Sequence, residues 1–168
     1  YSSNNKILTF QSCSKTYAMT GWRIGYTAGN NKVINAMSKL QGQSTSCPNS
    51  IAQFAAIEAL TGRQDAVKKM REIFKDRRDL ILDKLNSITG VSCPKPGGAF
   101  YVFPDFSYFV GKSLFGNKIK SATEIAMYLL ENEYVVSVPG NGFGSPNNIR
   151  FSYAASEQNI LKAMNALK

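Results

Sequence analysis

The sequence of 168 residues predicts an α/β fold, in which two strands and their helices precede a region that mixes short strands and helices. Two apolar runs rich in β-forming residues lie near the N-terminus, at residues 6–13 and 22–28. Later segments repeat apolar residues at steps of three and four positions, which is the spacing of one helical face. Strand patterns followed by helical patterns indicate a sheet packed against helices.

The first part of the chain contains both predicted strands and two predicted helices. Residues 6–13 are expected to form a buried strand that delivers Lys15 at its C-terminal end, where open α/β sheets bind ligands. Asn30 is a suitable N-cap for a helix over residues 31–41, and a second helix is expected over residues 50–62. The faces expected to be buried contain Val33, Ile34, Met37 and Leu40 in one helix and Ile51, Phe54, Ala55 and Leu60 in the other.

Residues 64–88 contain the longest periodic segment of the chain. Charged residues fill the positions between its apolar ones, so the segment is predicted to be a long amphipathic helix. The apolar positions are Val67, Met70, Phe74, Ile81, Leu85 and Ile88.

The last part of the chain is predicted to alternate short strands and helices. Residues 99–103 and 134–138 are predicted strands, and residues 148–153 alternate like a half-buried strand. Residues 121–124 have the capping-box pattern that begins a helix, and Ser156 is expected to cap the final helix.

The formal net charge of +9 permits anionic partners, but the basic residues are not gathered into one run. Their densest stretch, residues 68–78, is interleaved with acidic residues, which is typical of a solvated helix face rather than a nucleic-acid arm. No apolar run approaches the roughly 20 residues that span a bilayer. Neither a nucleic acid nor a membrane is therefore expected as a partner.

The chain has no histidine and three scattered cysteines, Cys13, Cys47 and Cys93. Without histidine, Ser-His and Cys-His catalysis and most zinc sites are excluded within this chain, and no metal site is expected. An odd number of cysteines at irregular spacing favours reduced thiols over a disulfide framework, and so a cytoplasmic location.

The residues with the most distinctive chemistry are Ser12, Ser14, Lys15 and Arg23. Hydroxyls, loop N–H groups and an arginine fork can hold a phosphate, and a partly desolvated lysine can form a Schiff base. Pyridoxal 5′-phosphate carries both a phosphate and an aldehyde, so it would satisfy both sets of groups. From residue types alone, Lys15 could equally be a solvated loop lysine and Arg23 a surface arginine.

The Ser12-x-Ser14-Lys15 motif, followed by Met19-Thr20-Gly21-Trp22-Arg23-Ile24-Gly25-Tyr26, resembles the cofactor-lysine segment of the aspartate aminotransferase family, the fold-type I pyridoxal phosphate enzymes. The resemblance implies that Lys15 is the catalytic, cofactor-bound lysine, and that Ser12 and Arg23 hold the cofactor phosphate. It covers essentially the whole chain but matches only the C-terminal part of the family. It therefore implies that residues 1–65 end the large cofactor-binding domain and that residues 66–168 form the small α+β C-terminal domain.

Arg150 is the other residue expected to carry chemistry. Its strand pattern places it opposite Ile149 and Phe151, and an arginine in such a setting needs an anionic partner because it cannot lose its charge. From the residues alone, that partner could be a structural Asp or Glu. The segment Asn148-x-Arg150-Phe151-Ser152-Tyr153 resembles the family segment whose arginine binds the substrate α-carboxylate, which implies a substrate-binding role for Arg150.

The resemblance is strongest to prokaryotic-type aspartate/prephenate aminotransferases. It implies amino transfer between L-aspartate and 2-oxoglutarate through a lysine Schiff base, in a homodimer that binds amino acid and oxo-acid substrates. The isolated chain is expected to be inactive, because the family residues that contact the cofactor ring correspond to positions upstream of Tyr1. The alternatives are a prephenate or aromatic aminotransferase, and the cofactor-sensing aminotransferase-like domain of a transcriptional regulator.

Overall fold

The computed structural model describes residues 6–114 and 116–167, which divide into two compact units, residues 1–69 and residues 70–168. Residues 1–5, 115 and 168, which fall within the predicted domains 1–65 and 66–168, lie outside the described residues. Each unit has an apolar cluster of its own.

The first unit consists of a two-stranded antiparallel sheet and three helices. In the sheet, Thr9 lies opposite Ala28 and Ser12 lies opposite Gly25. The elements are β1 (Thr9–Ser12), α1 (Cys13–Thr16), a 3-10 turn (Thr20–Trp22), β2 (Gly25–Ala28), α2 (Asn31–Ser44) and α3 (Ser50–Thr61).

Both predicted strands of this unit exist, but both are shorter than predicted. The second starts only at Gly25, because Trp22 ends the 3-10 turn and Arg23 has a left-handed backbone with φ 52°. The prediction that the first strand is buried was wrong, since the Phe10 side chain is 64% exposed. A sheet of two strands leaves most of its residues in contact with solvent.

The predicted buried face of α3 was also wrong. Phe54 is 75% exposed and Ile51 is exposed, whereas Ala52 and Ala56 are buried against Cys13, Met19 and Ile24. The helix is apolar on more than one face, so periodicity does not identify the face that packs. The small alanines allow α3 to approach the loop that follows β1 closely.

The second unit is built on a long helix that begins in the first unit. Its three-stranded antiparallel sheet has the order β3-β7-β6, and β4 and β5 form a separate hairpin. The elements are α4 (Asp65–Asn86), β3 (Tyr101–Val102), β4 (Ser113–Leu114), β5 (Asn117–Lys118), α5 (Ala122–Glu133), β6 (Val138–Pro139), β7 (Ile149–Ser152) and α6 (Glu157–Asn165).

The core of the second unit lies between this sheet and helices α4, α5 and α6. As predicted, Ile81 and Leu85 of α4 are buried, together with Leu82. They pack in one cluster with Leu129 of α5 and Ile149 of β7. Burying these branched side chains removes apolar surface from water, which is the main stabilising contribution to the unit.

The predicted strand over residues 134–138 is present only as Val138 and Pro139. Helix α5 extends to Glu133, and Tyr134 then adopts a left-handed conformation with φ 56°. This turn lets the Val135 N–H donate to the Leu129 carbonyl at 2.9 Å, which is a common way for a helix to end. The chain therefore reaches β6 four residues later than expected.

The predicted helix caps are partly confirmed. The side chain of Asn30 accepts a hydrogen bond from the Lys32 N–H at 2.9 Å, and that of Ser156 accepts one from the Asn159 N–H. The capping box at residues 121–124 was wrong in detail. Ser121 makes no capping hydrogen bond, and the Glu124 carboxylate accepts instead from the backbone N–H of Lys120 at 2.8 Å.

Among the described residues, no helix combines the length and apolar character needed to cross a lipid bilayer.

Asp79, on α4, is the centre of a small ion cluster. Its carboxylate accepts a hydrogen bond from Arg78 at 2.9 Å and lies 2.9 Å from the Lys95 amine. The hydrogen bond from Arg78, followed by that from Lys95, lowers the pKa of Asp79 from 3.8 to about 2. Both interactions favour the charged carboxylate of the folded state.

Truncating Leu85 tests the packing of the second unit. We expect Leu85→Ala to lower the free energy of unfolding by about 2–5 kcal/mol, because the side chain is fully buried and leaves a cavity. Urea unfolding followed by circular dichroism measures the loss. Leu161→Ala, at a partly exposed position of α6, is the matched control. Equal losses in the two variants would contradict the packing described here.

The Asp79 cluster predicts a pH dependence of stability. Because the pKa of Asp79 is lower in the folded state, its stabilising contribution is present above about pH 4 and is lost as the pH falls towards 2. We expect Asp79→Asn to flatten the unfolding free energy across this range, measured by urea titrations at several pH values. Asp83→Asn is the control, because the Asp83 carboxylate is exposed and lies 3.8 Å from the Lys84 amine, and this variant should keep the wild-type slope.

Candidate active site

Three of the residues with distinctive chemistry, Ser12, Ser14 and Lys15, lie where β1 ends and α1 begins. Ser12 ends β1 and caps α1, and its Oγ accepts a hydrogen bond from the Ser14 N–H at 3.1 Å. Lys15 follows in the single turn of this helix, and its side chain is exposed. A short helix that begins directly at the end of a strand therefore places Ser12, Ser14 and Lys15 within one turn of backbone.

Backbone hydrogen bonds restrain the segment around Lys15. The buried Cys13 donates its N–H to the Ile24 carbonyl at 3.2 Å, which joins the start of α1 to the residue just before the second strand. The Met19 N–H donates to the Ser14 carbonyl at 3.0 Å, and the Ala18 N–H donates to the Lys15 carbonyl at 3.2 Å. These bonds restrict the backbone at Lys15 although its side chain faces solvent.

Arg23 is brought to the same end of the sheet by strand pairing. Ser12 lies opposite Gly25, only two residues after Arg23. A Cβ at Gly25 would lie 2.5 Å from the Gln11 carbonyl oxygen, so only glycine permits this close approach of the strands. The pairing therefore places Arg23 beside the loop of Ser12 and Lys15.

The side chain of Arg23 keeps most of its donors for another partner. Its Nη1 donates to the Thr20 carbonyl at 2.9 Å, and the part of the chain that the structure describes contains no ion pair to Arg23. Its φ of 52° is uncommon for a residue other than glycine and costs about 1 kcal/mol or more. Such strain at an exposed arginine is typical of a residue that is positioned for binding.

These donors fit a phosphorylated aldehyde. Hydroxyl groups at Ser12 and Ser14 and a guanidinium at Arg23 are groups that bind phosphate oxygens, and Lys15 supplies a primary amine beside them. Lys15 is exposed among the described residues.

An open groove next to Arg23 was not anticipated from the sequence. It has a volume of about 650 Å³ and is lined in part by Trp22, Asn49 and Ile51. Asn49 caps α3 by accepting a hydrogen bond from the Ala52 N–H at 3.1 Å. The signal for this groove was the pair of large apolar residues, Trp22 and Ile51, that remain exposed.

Arg150 belongs to the second unit. Strand β7 turns Ile149 and Phe151 into the core and places Arg150 on the opposite face, as predicted. The guanidinium carbon lies 4.4 Å from the centre of the Tyr101 ring and 4.7 Å from that of Phe143. No Asp or Glu of the described residues forms an ion pair with Arg150, so the structural acid considered from the sequence is not found there.

Comparison with known proteins identifies the family of this chain. The model of the family "Aminotransferase class I and II" matches residues 2–167. The aspartate aminotransferase of Rhizobium meliloti strain 1021 is 47% identical over 161 residues, which cover 95% of this chain and 39% of the relative. The aspartate/prephenate aminotransferase of Cereibacter sphaeroides is 49% identical over 160 residues, covering 95% of this chain and 40% of the relative.

The fold also matches part of a solved structure. The crystal structure of the Rhizobium meliloti aspartate aminotransferase superposes with a TM-score of 0.92 at 46% identity, over 97% of this chain and 41% of that one. The chain thus spans about two-fifths of the length of the relatives it matches. Its fold is that of part of a fold-type I aminotransferase. The chain belongs to the class I and II aminotransferase family.

Proposed function

We propose that this chain contributes the lysine-bearing part of an aspartate aminotransferase, which transfers the amino group of L-aspartate to 2-oxoglutarate. Family members of the aspartate aminotransferase type use pyridoxal 5′-phosphate. The names of the relatives support aspartate as a substrate, and the catalytic activity belongs to the complete enzyme. We further propose that residues 1–65 complete its large domain and that residues 66–168 form its small domain.

The observation that carries the proposal is the pairing of Ser12 with Gly25. This register brings the backbone of Ser12 close to that of Gly25, two residues after Arg23, and so supports a shared site for Ser12, Lys15 and Arg23. A small molecule that carries both a phosphate and an aldehyde can bind all three side chains only if they lie close together.

Ser12 and Arg23 are proposed to anchor the cofactor phosphate. The Ser12 Oγ already accepts from the Ser14 N–H, so its own O–H is available to donate to a phosphate oxygen. Arg23 keeps Nη2 and Nε for a charge-assisted, bidentate contact, since Nη1 is used by the Thr20 carbonyl. The two contacts fix the phosphate end and so the direction of the molecule.

Lys15 is proposed to be both the attachment point and the proton carrier. When bound, the cofactor supplies an aldehyde that condenses with amines and a ring that accepts the electron pair released at the substrate Cα. The Lys15 Nζ, once released by the incoming substrate amine, takes the proton from the substrate Cα and later returns a proton. The restricted backbone of α1 limits the positions from which Nζ can act.

Arg150 is proposed to bind the substrate α-carboxylate through two parallel N–H···O bonds. A bidentate contact fixes orientation as well as affinity, and so determines which bond at Cα is aligned for proton removal. This role is supported by a guanidinium that pairs with no acidic residue of the described chain.

Prephenate is the second candidate amino acceptor. The relative from Cereibacter sphaeroides, at 49% identity, is named an aspartate/prephenate aminotransferase.

We also propose that the complete enzyme is a cytoplasmic homodimer and that this chain by itself does not catalyse amino transfer. The proposal of inactivity is supported by a Lys15 that the described residues leave exposed.

The cofactor lysine can be identified by chemical trapping. We expect pyridoxal 5′-phosphate followed by borohydride to leave one reduced adduct, on Lys15, because the phosphate site concentrates the aldehyde beside that amine. Peptide mass spectrometry locates the adduct. Lys15→Ala should abolish it, whereas Lys39→Ala, at an exposed lysine of α2, should not. Adducts scattered over many lysines would contradict the proposal.

The phosphate contact of Arg23 can be measured by affinity. We expect Arg23→Gln to weaken the binding of pyridoxal 5′-phosphate about tenfold, because a hydrogen bond to a charged group contributes roughly 1.5 kcal/mol or more. The absorbance of the bound cofactor, titrated against protein, measures the change. Arg63→Gln removes an equally exposed arginine of the same unit, paired with Asp65, and should bind normally. Equal affinities for all three proteins would remove Arg23 from the site.

A further inference from the structure

The guanidinium of Arg150 has an unusual set of neighbours. It lies within 4.4 and 4.7 Å of the centres of two aromatic rings, Tyr101 and Phe143. Within residues 6–114 and 116–167, no carboxylate forms an ion pair with it. The half-buried Arg150 side chain is therefore restrained by aromatic rings, and no carboxylate of the described residues neutralises its charge.

Strand register places Tyr101 on the same face of the sheet as Arg150. Tyr101 lies opposite Ser152, which is two residues from Arg150 and therefore faces the same way. The other face of these strands carries Val102, Ile149 and Phe151, all buried in the core. The ring of Tyr101 is thus a diagonal cross-strand neighbour of the guanidinium, within reach of a long side chain.

Phe143 reaches Arg150 from the 3-10 turn that follows β6, Gly140–Phe143. Its ring packs edge-on against Phe103, with centroids 5.9 Å apart. The turn lies close to the sheet because Gly140 has no side chain, and a Cβ there would lie 2.6 Å from the Asn148 carbonyl oxygen. The position of Phe143 is therefore set by the backbone at Gly140 and by the Phe103 ring.

The guanidinium carbon of Arg150 lies over both rings, and a guanidinium that stacks on a ring uses its face and leaves its edge available. The N–H donors of arginine lie in the plane of the group, so stacking on rings does not consume them. The rings also restrict the rotamers of a long side chain, which lowers the entropy lost when a ligand binds. Such an arrangement favours a planar carboxylate that approaches the exposed edge.

We propose that Tyr101 and Phe143 are positioning residues that orient the Arg150 guanidinium for the substrate carboxylate. This inference rests on the proposed function of Arg150 as the carboxylate-binding residue. Neither ring needs to touch the substrate for this role. They act by fixing the plane of the guanidinium and therefore the direction in which its paired N–H groups point.

The chain labelled with ¹⁵N-arginine, titrated with succinate as a simple carboxylate probe, tests the inference. The Arg150 Nε–H signal, assigned by its loss in Arg150→Lys, should be displaced by the ring currents and should shift further as succinate binds. We expect Phe143→Leu and Tyr101→Leu to move this signal towards that of free arginine and to weaken succinate binding about threefold to tenfold. The conservative variants Phe143→Tyr and Tyr101→Phe keep a ring and should bind within about twofold of wild type.

Tyr108→Leu is the matched control. Tyr108 is an exposed aromatic residue of the same unit that contacts the Lys112 amine rather than Arg150. This variant should leave both the Arg150 signal and the succinate affinity unchanged. An unperturbed Arg150 signal in the wild-type chain, or leucine variants that bind succinate as wild type does, would overturn the inference.

The same variants separate this inference from the proposed function. If Lys15 is trapped with pyridoxal 5′-phosphate but the rings do not affect succinate binding, the positioning role is wrong and the proposed function stands. If the rings control succinate binding but Lys15 is not trapped, Tyr101 and Phe143 position a carboxylate-binding arginine and the aminotransferase proposal fails.

Discussion

The antiparallel pairing of β1 with β2 is the constraint on which the candidate active site depends. Gly25 allows the strands to approach closely, and the N–H of the buried Cys13 bonds to the Ile24 carbonyl across the same junction. The hydroxyl of Ser12 and the side chain of Arg23 are eleven positions apart in sequence but leave the sheet at one end. The site is thus built from backbone hydrogen bonds, while its functional side chains stay exposed.

In the second unit, Arg150 is positioned by the packing of its strand against the core. The alternation of β7 commits Ile149 and Phe151 to the core, and this burial fixes the register that presents Arg150 on the other face. The free energy of core packing therefore also determines the direction of a charged side chain. Two rings then limit that side chain further without neutralising its charge.

The errors of the sequence predictions have specific physical causes. In α3, Ala52 and Ala56 are buried and Phe54 is not, because close approach to Cys13 favours small residues over large ones. After α5, the left-handed Tyr134 closes the helix with a bond to Leu129, a local solution that β propensity does not reveal. At residues 121–124 the Glu124 carboxylate bonds to the N–H of Lys120 rather than that of Ser121, which depends on local backbone geometry.

The sequence by itself predicted the longer helices and most strands, the core positions of α4 and β7, and the candidate site residues Ser12, Lys15, Arg23 and Arg150. It did not predict helix α1 or the hairpin of β4 and β5. The predicted features follow from periodicity and from motifs whose residues are near one another along the chain. Only the tertiary structure decided the exposure of Lys15, the packed face of α3 and the rings that contact Arg150. Those depend on side chains from distant segments, such as Phe143 and Tyr101, and contacts between such segments leave no periodic signal in the sequence.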